Sequence, residues 1–371
     1  MDSPKANPRR LGDNPFALGL FSFNVAGGLT QTATEIWDNS WEHNVEAARL
    51  AEAAGLEFLL PLGRWRGMRG YPAESDDEGG SFETLTWASG ILALTERIAV
   101  FGTLHVAYVH PLFAAKQIVT AHHIGRGRFG LNVVSGTTPL DFQMFGVPFG
   151  DHDARYDYTE EWVAVVKRIW TEDAPFDHAG KHFTLTQVLC KPKPYGGELP
   201  LLISAGASHR GREFAVRNAD AVFTAISNFE TIEEELRVAR ALRNDGRRVP
   251  VYASGHLVCR PTRKEADEYY HHLVYDLGYW EGVEEAVALR VQHRTIPYNS
   301  LQRLREQIIS GNGTFAVRGS YDDVAQTFAR LHAMGLDGMA IALVDYIDDF
   351  PALRDEVLPR MERLGLRRPA A

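Results

Sequence analysis

The chain has 371 residues and a formal net charge of −9, with 45% hydrophobic and 23% charged residues. That balance is ordinary for a globular protein and includes no basic stripe of the kind a nucleic acid partner needs. No apolar run approaches the ~18 residues of a membrane span. The two cysteines, Cys190 and Cys259, are too far apart for zinc-ligand spacing or a disulfide framework, so a cytoplasmic protein is expected.

Residues 1–13 are proline-rich and polar, with no apolar core, and read as a flexible tail rather than a secretory signal. Phe16 to Phe23 reads as a first buried strand ending at Asn24. Trp37, Trp41, Val45 and Ala48 then recur at helical spacing, and Gly55 closes that helix. Leu56 to Leu62 is a second strand, with Gly63-Arg64-Trp65 beyond it. A loop over residues 70–80 follows, and Ser81 is placed to cap the next helix. Ile98 to His105 is a third strand, and Pro111 suits the first turn of a third helix.

The fourth strand lies within Gly125 to Gly136, Gly-Arg-Gly-Arg-Phe-Gly-Leu-Asn-Val-Val-Ser-Gly. Asn132 sits inside its apolar run, where a buried amide must find a partner or lose free energy. Ser135 to Pro139 gives hydroxyl-rich backbone just past the strand. Arg155 to Trp170 is amphipathic, with Trp162, Val165, Val166 and Ile169 on one face. A polar excursion around Asp177 to His182 precedes a fifth strand from Pro200, which ends in Gly206-Ala-Ser208. Ala221 opens a short sixth strand, and Thr231…Glu234 reads as a capping box for the helix after it. The seventh strand runs from Val249 to Val258.

From Thr262, which opens a second capping box with Glu265, to Thr314 the chain is polar and helical with no obvious strand. Ser320 caps a helix ending at Gly335, Gly338 to Leu343 is an eighth strand, and a helix closes the chain. Eight apolar runs alternating with helices, undivided by any linker, point to an α/β fold. The simplest is a single (β/α)8 TIM barrel over residues 14–371, with 262–314 as a lid-like insertion between strands 7 and 8. A doubly wound open sheet is the alternative, but no Gly-x-Gly-x-x-Gly follows the first strand.

A barrel builds its active face from residues just past each strand. Here these are Asn24, Gly63-Arg64-Trp65, Thr103 and His105, Asn132 to Thr138, Ala205 to Ser208, Ser227, and Ser254 to His256. The set is poor in carboxylates and has neither metal-ligand spacing nor a nucleophile elbow. Its glycines, hydroxyls and aromatics suit a cofactor that brings its own reactivity. Gly206-Ala-Ser208 at a helix start suits a phosphate, or is a plain helix cap. Arg155-Tyr156 suits bidentate phosphate binding, or Arg155 pairs on the surface with Asp153 or Asp157. His122 and His123 do not share a helix face and read as structural.

Ala115 to Gly136 resembles the signature of the bacterial luciferase-like flavin monooxygenases. Asn24 to Leu29, Arg155 to Tyr158, Tyr195 to Ser208 and Gly319 to Ala325 resemble the same family in the same order. The most similar subgroup contains pyrimidine-ring-opening, dialkylsulfone and alkanesulfonate monooxygenases. The resemblance implies that reduced FMN arrives from a separate NAD(P)H:FMN reductase, that O2 is the oxidant, and that one oxygen atom passes to a small organic substrate. It also implies a homo-oligomer, dimer or tetramer, while charge, hydropathy and residue spacing lead to the expectation of no metal, nucleic acid or membrane partner. A deazaflavin-dependent oxidoreductase and a non-catalytic flavin-binding relative are the alternatives.

By that resemblance Gly63-Arg64, Asn132, Asp141, Arg155-Tyr156 and Ser208 fall at flavin-contact positions, with Gly206 beside them. Asp141 stands where relatives carry Glu, Arg64 where they carry Lys, and Thr137 where they usually carry Trp. His256 falls where alkanesulfonate enzymes carry a histidine near the flavin. Ser254 replaces their anion-binding Arg, which argues against a simple alkanesulfonate as substrate. The catalytic candidates are therefore His256 for proton transfers, Asn132 for orienting the flavin, and Thr103. Phe21, Trp65, His105 and Thr137 are the substrate-lining candidates, with Phe23 and Tyr108 as further dry walls.

Overall fold

The structure is a computed structural model that describes residues 11–32, 37–65, 80–206, 208–226, 228–241, 249–290 and 298–369. The expected tail through residue 10, nearly all of the 70–80 loop, and Ser227 lie outside the described residues.

The chain opens with β1 (Ala17–Phe21), α1 (Trp41–Ala53), β2 (Phe58–Leu60), α2 (Thr84–Leu94), β3 (Ala99–His105), α3 (Pro111–Ile124) and β4 (Phe129–Val134). Helices α4 (Pro139–Met144) and α5 (His152–Thr171) follow, then an antiparallel hairpin of β5 (Phe176–Ala179) and β6 (Thr184–Val188). The alternation resumes with β7 (Leu201–Ala205), α6 (His209–Asn218), β8 (Ala221–Ala225), α7 (Phe229–Ala241) and β9 (Val251–Arg260). Three helices come next, α8 (Arg263–His271), α9 (Trp280–Arg290) and α10 (Tyr298–Gly311). The chain ends with β10 (Phe315–Ser320), α11 (Tyr321–Met334), β11 (Gly338–Ala342) and α12 (Leu358–Arg363).

Nine of these strands form one sheet in the order β10-β9-β11-β1-β2-β3-β4-β7-β8, and β9 also pairs with β8. With β10 set aside as a branch on β9, the eight remaining strands close on themselves. This is the expected α/β TIM barrel.

Local differences from the sequence reading have simple causes. β10 alternates buried and half-buried residues, and Arg318 and Gly319 hide that alternation in the sequence. β5 and β6 are mostly exposed and hold together by antiparallel pairing, which polar composition does not reveal. The cap of α2 is Glu83, whose carboxylate accepts from Leu85 N (3.0 Å) and Thr86 N (2.7 Å). Ser81 instead donates to the Arg64 carbonyl at 2.9 Å. At α7, which starts at Phe229, Thr231 lies inside the helix and not at its cap; its N–H goes to Asn228 Oδ1 (2.8 Å), and Glu234 pairs with Arg237. The Thr262…Glu265 box does form, Ser320 caps α11, and Gly335 ends it with φ 105.

The chain divides into two compact units, one built mainly on residues 83–223 and the other on 11–82, 224–237 and 251 onward. In the first, β3, β4 and β7 run in register, with Thr103 opposite Asn132 and Asn132 opposite Ile203. Phe129, Leu131 and Val133 are fully buried on one face of β4. On the other face Gly130 leaves room for the Phe101 ring, which would lie 2.3 Å from an added Cβ. Trp162 and Trp170 fix α5 by donating to the carbonyls of Val109 (2.8 Å) and Ala115 (3.3 Å).

In the second unit β1 lies between β2 and β11. Tyr270, Leu273, Val274, Val283, Ile308 and Ile309 form a core of their own with Val258. A buried ion pair ties the end of the chain to β1: Glu57 Oε2 accepts from Leu18 N (2.7 Å) and Arg367 Nη1 (3.0 Å). Arg367 also donates to the Gly55 carbonyl at 2.6 Å, and the two charged side chains are only 3% and 5% exposed. Both cysteines are free and buried.

Arg367→Ala strips the buried Glu57 carboxylate of its cation, so a stability loss on the order of 3–5 kcal/mol is expected. It reads out as a lower urea midpoint at unchanged m-value; an unmoved midpoint would show that the pair is not holding the chain end.

Candidate functional site

The site in the first unit begins with the pairing of β3 and β4. Thr103 is pinned by Thr84, the first residue of α2: the Thr84 hydroxyl donates to the Thr103 carbonyl (2.6 Å) and accepts from its N–H (3.2 Å). Asn132 Nδ2 donates to Thr103 Oγ1 at 3.3 Å. That bond engages the amide nitrogen, and Asn132 Oδ1 is buried without a partner among the described residues. An orphaned buried acceptor costs on the order of 1–3 kcal/mol until a donor meets it.

Past the strands the walls are aromatic. The rings of His105 and Tyr108 stack 5.6 Å apart, and Tyr108 stacks on Phe145 at 4.3 Å. Tyr108 also meets Phe142 edge-on at 5.1 Å, and Phe142 meets Phe149 at 4.9 Å. The Arg155 guanidinium lies 4.2 Å over the Phe149 ring. Burial, with a smaller contribution from the nearby Asp141 carboxylate, pushes the Tyr108 phenol well above its ordinary pKa, so it stays protonated. Asp141 itself is buried on the first turn of α4, while Thr137 is exposed in the loop before it. Ala107, Ser135, Phe142, Pro148, Arg155 and His182 line a cavity of ≈ 200 Å³.

Arg155 does not make the surface pairing that was its alternative. Asp153 bonds His152 (3.1 Å), and Asp157 is taken by Lys181 (3.3 Å) and Arg210 (3.1 Å). Arg155 Nη1 donates to the Gly150 carbonyl (2.6 Å), and its Nε is buried with no acceptor among the described residues. A cation left in this state is suited to an anionic ligand.

Tyr156, one residue on, turns toward α6, its ring 5.8 Å from Phe214. An added Cβ on Gly211 would lie 2.5 Å from the Tyr156 hydroxyl and 2.8 Å from the Gly206 Cα. Ser208 caps the helix by accepting from Gly211 N at 3.0 Å. Gly206, Ser208 and Tyr156 therefore converge on the N-terminus of α6, where the backbone N–H groups favour negative charge. His122 and His123 serve the framework, bonding Tyr195 N (3.1 Å) and the Lys193 carbonyl (2.8 Å).

In the second unit Phe21 is buried at the end of β1 and accepts from the Tyr346 hydroxyl, against whose ring Phe23 packs at 5.6 Å. Asn24 clamps the backbone just before Gly63: it donates to the Leu62 carbonyl (3.0 Å) and accepts from Leu62 N (2.8 Å). Gly63 and Arg64 are half-buried in the segment that follows, and Trp65 is 38% exposed.

His256 is enclosed, and its tautomer is set by its neighbours. The Thr314 hydroxyl donates to the Gly311 carbonyl at 2.7 Å, so its 3.0 Å contact with His256 Nδ1 requires Nδ1–H to be the donor. Nε2 is then a bare acceptor, buried without a partner among the described residues. Burial, and after it the Arg318 charge, lower the imidazole pKa to about 3. Ser254 is likewise buried, two residues earlier on β9.

Sequence reasoning named His105 and Tyr108 of the aromatic wall but missed Phe142, Phe145, Phe149 and His182. The density of phenylalanine between Phe142 and Phe149 was the available signal, but without a period it assigns no face.

A TIM barrel that carries an orphaned amide oxygen on β4, an arginine on α5 with no ion pair among the described residues, and aromatic walls defines a protein that holds an organic cofactor or substrate. The pattern of the luciferase-like monooxygenases spans residues 16–338, and the chain belongs to that family. An FMNH(2)-dependent dimethylsulfone monooxygenase of Pseudomonas putida is 28% identical over 368 residues, 96% of this chain and 98% of the relative. The pyrimidine monooxygenase RutA of a Bradyrhizobium species is 28% identical over 367 residues, 94% of this chain and 98% of the relative. Among solved structures, a riboflavin lyase shares the fold with a TM-score of 0.84 and 22% identity, over 96% of this chain and 93% of that one. A long-chain alkane monooxygenase does so with a TM-score of 0.81 and 21% identity, over 97% and 94%.

The state of His256 has a pH consequence. Its folded pKa lies below the ordinary 6.5, so the unfolded chain binds the extra proton between pH 6.5 and about 3. Stability is full above that window and falls as pH drops through it. His256→Asn, which keeps a donor for Thr314, is expected to lose about 1–2 kcal/mol less than wild type between pH 7 and pH 5. Urea midpoints at the two pH values measure this, and parallel pH slopes would refute it.

Proposed function

We propose that this chain is the oxygenase component of a two-component system. It takes reduced FMN from a separate NAD(P)H:FMN reductase and uses O2 to place one oxygen atom in a small sulfone, pyrimidine or related heteroatom compound. The observation that carries this reading is similarity over nearly the whole chain to relatives named as an FMNH(2)-dependent monooxygenase and a pyrimidine monooxygenase. The absence of any helix among the described residues long and apolar enough to cross a membrane is compatible with the cytoplasmic setting we propose. We further propose a dimer or tetramer, and one domain over 14–371 in which 262–314 acts as a lid.

The residues present fit the flavin. Its polar edge offers ring N–H groups to the orphaned Asn132 Oδ1, and its phosphate offers oxygens to Arg155 Nε. Its flat faces suit the aromatic wall. When bound, the flavin supplies the oxygen-activating chemistry. Asn132 orients it, and Thr103 holds the amide in the required direction. Arg155, Tyr156, Gly206 and Ser208 hold the phosphate, while Gly63, Arg64 and Asp141 complete the flavin contacts. Phe21 and Trp65 in the second unit, and His105 and Thr137 in the first, are the substrate-lining residues we propose. His256, neutral at ordinary pH, acts through Nε2 as a hydrogen-bond acceptor, never as a standing acid.

Reductase-generated FMNH2, isotopically heavy O2 and a panel of sulfones and pyrimidines test the reading. One heavy oxygen atom in the product is expected; tight deazaflavin binding with negligible FMN binding would overturn it. Arg155→Ala is expected to raise the Kd for FMN by roughly 10- to 100-fold, the loss of a charge-assisted bond worth about 1–3 kcal/mol. An unchanged Kd would show that the phosphate lies elsewhere.

A further inference from the structure

The β5–β6 hairpin adds nothing to the barrel, yet one side chain of α5, Glu161, makes three hydrogen bonds to it. Glu161 Oε1 accepts from His178 Nε2 (3.0 Å) and Phe183 N (2.9 Å), and Oε2 accepts from His182 N (2.9 Å). Burial opposes the charge, but these bonds outweigh it and hold the Glu161 carboxyl below the usual carboxylate range. An added Cβ on Gly180 would lie 1.9 Å from Glu161 Oε1, so the turn is moulded around this carboxylate.

What the anchoring delivers is His182. Its ring packs edge-on against Tyr158 at 5.2 Å and lines the same ≈ 200 Å³ cavity as Arg155. Its Nε2 is buried and has no partner among the described residues. A leucine would fill such a position without leaving a polar atom stranded, so the imidazole nitrogen calls for a ligand. The charges nearby indicate which kind. Asp157 is neutralised by Lys181 and Arg210, Glu160 by Arg210 (2.9 Å), and Glu161 by the hairpin itself. The Arg155 guanidinium makes no ion pair among the described residues, so the cavity offers hydrogen-bond donors and uncompensated positive charge.

We propose that His182, in its Nε2–H tautomer, joins Arg155 Nε in holding a phosphate group in this cavity. The ligand class is a phosphomonoester; on the reading given above, on which this inference rests, it is the phosphate of FMN. The hairpin is thereby a recognition element, and Glu161 is a positioning residue that acts through His182.

FMN and riboflavin differ only by the phosphate, so their Kd values on wild type and on His182→Ala, His182→Gln and Arg155→Ala test the inference by fluorescence quenching. Wild type is expected to prefer FMN. His182→Ala should cut that preference about 10-fold, one hydrogen bond to a charged group, at unchanged riboflavin affinity. His182→Gln, which keeps a donor, should restore most of it. A wild-type preference in His182→Ala, or an equal loss for both flavins, overturns the role of His182 while leaving the flavin reading intact. A wild type that binds neither flavin overturns both. Should His182→Ala fail to fold, competition decides: inorganic phosphate should displace FMN but not riboflavin from wild type, and less so from His182→Gln. Absence of that competition overturns the proposal.

Discussion

The hydrogen bond from Asn132 Nδ2 to Thr103 Oγ1 ties the amide of β4 to β3, and the site in the first unit depends on it. Parallel pairing puts the two residues opposite each other. The Thr84 hydroxyl, at the first residue of α2, then fixes the Thr103 backbone through both its N–H and its carbonyl. A slip of one residue in register would turn Thr103 and Asn132 to opposite faces. Strand pairing, a helix start and a side-chain amide are therefore one mechanical unit, whose output is an oxygen atom held without a partner in a buried place.

A site that stores unsatisfied groups must be protected from cheaper ways of satisfying them. The first unit does this by committing every competitor. Asp153, Asp157, Glu160 and Glu161 are each engaged by other groups, and Arg155 makes no ion pair among the described residues. Phe149 covers the guanidinium face and Tyr108 remains a neutral phenol between Phe142 and Phe145. Ser208 gives an acceptor to Gly211 N and still has its hydroxyl proton to offer. Cap and ligand-binding residue, which the sequence presents as rivals, are compatible at this position.

Where sequence legibility ended follows from the range of the interactions. Period and composition reveal what a residue does with near neighbours, so the eight barrel strands, the Pro111 start of α3, the Thr262…Glu265 box and the Gly335 stop were readable. The polar amide in the run Phe129 to Val134 was visible as an anomaly for the same reason. Arg155 was ambiguous because its competitors, Lys181 and Arg210, reach Asp157 from 24 and 53 residues away. Ser81 has the composition of a cap but bonds Arg64, and β10 exists only because β9 is there to pair with. His182 is less legible still, since its placement depends on a carboxylate 21 residues earlier.

The segment between β9 and β11 shows the same dependence in the second unit. Helix α10 ends at Gly311, and a turn through Asn312 (φ 51) and Gly313 (φ 78) brings Thr314 back against β9. An added Cβ on Gly311 would lie 2.1 Å from His256 Nδ1, so the residue that ends the helix is dictated by the imidazole beside it. Thr314 in turn fixes which imidazole nitrogen carries the proton. A chain segment that a barrel does not require therefore sets the tautomer, the neutrality and the one unmet hydrogen-bonding position of His256. Its part in the second unit is chemical as well as architectural.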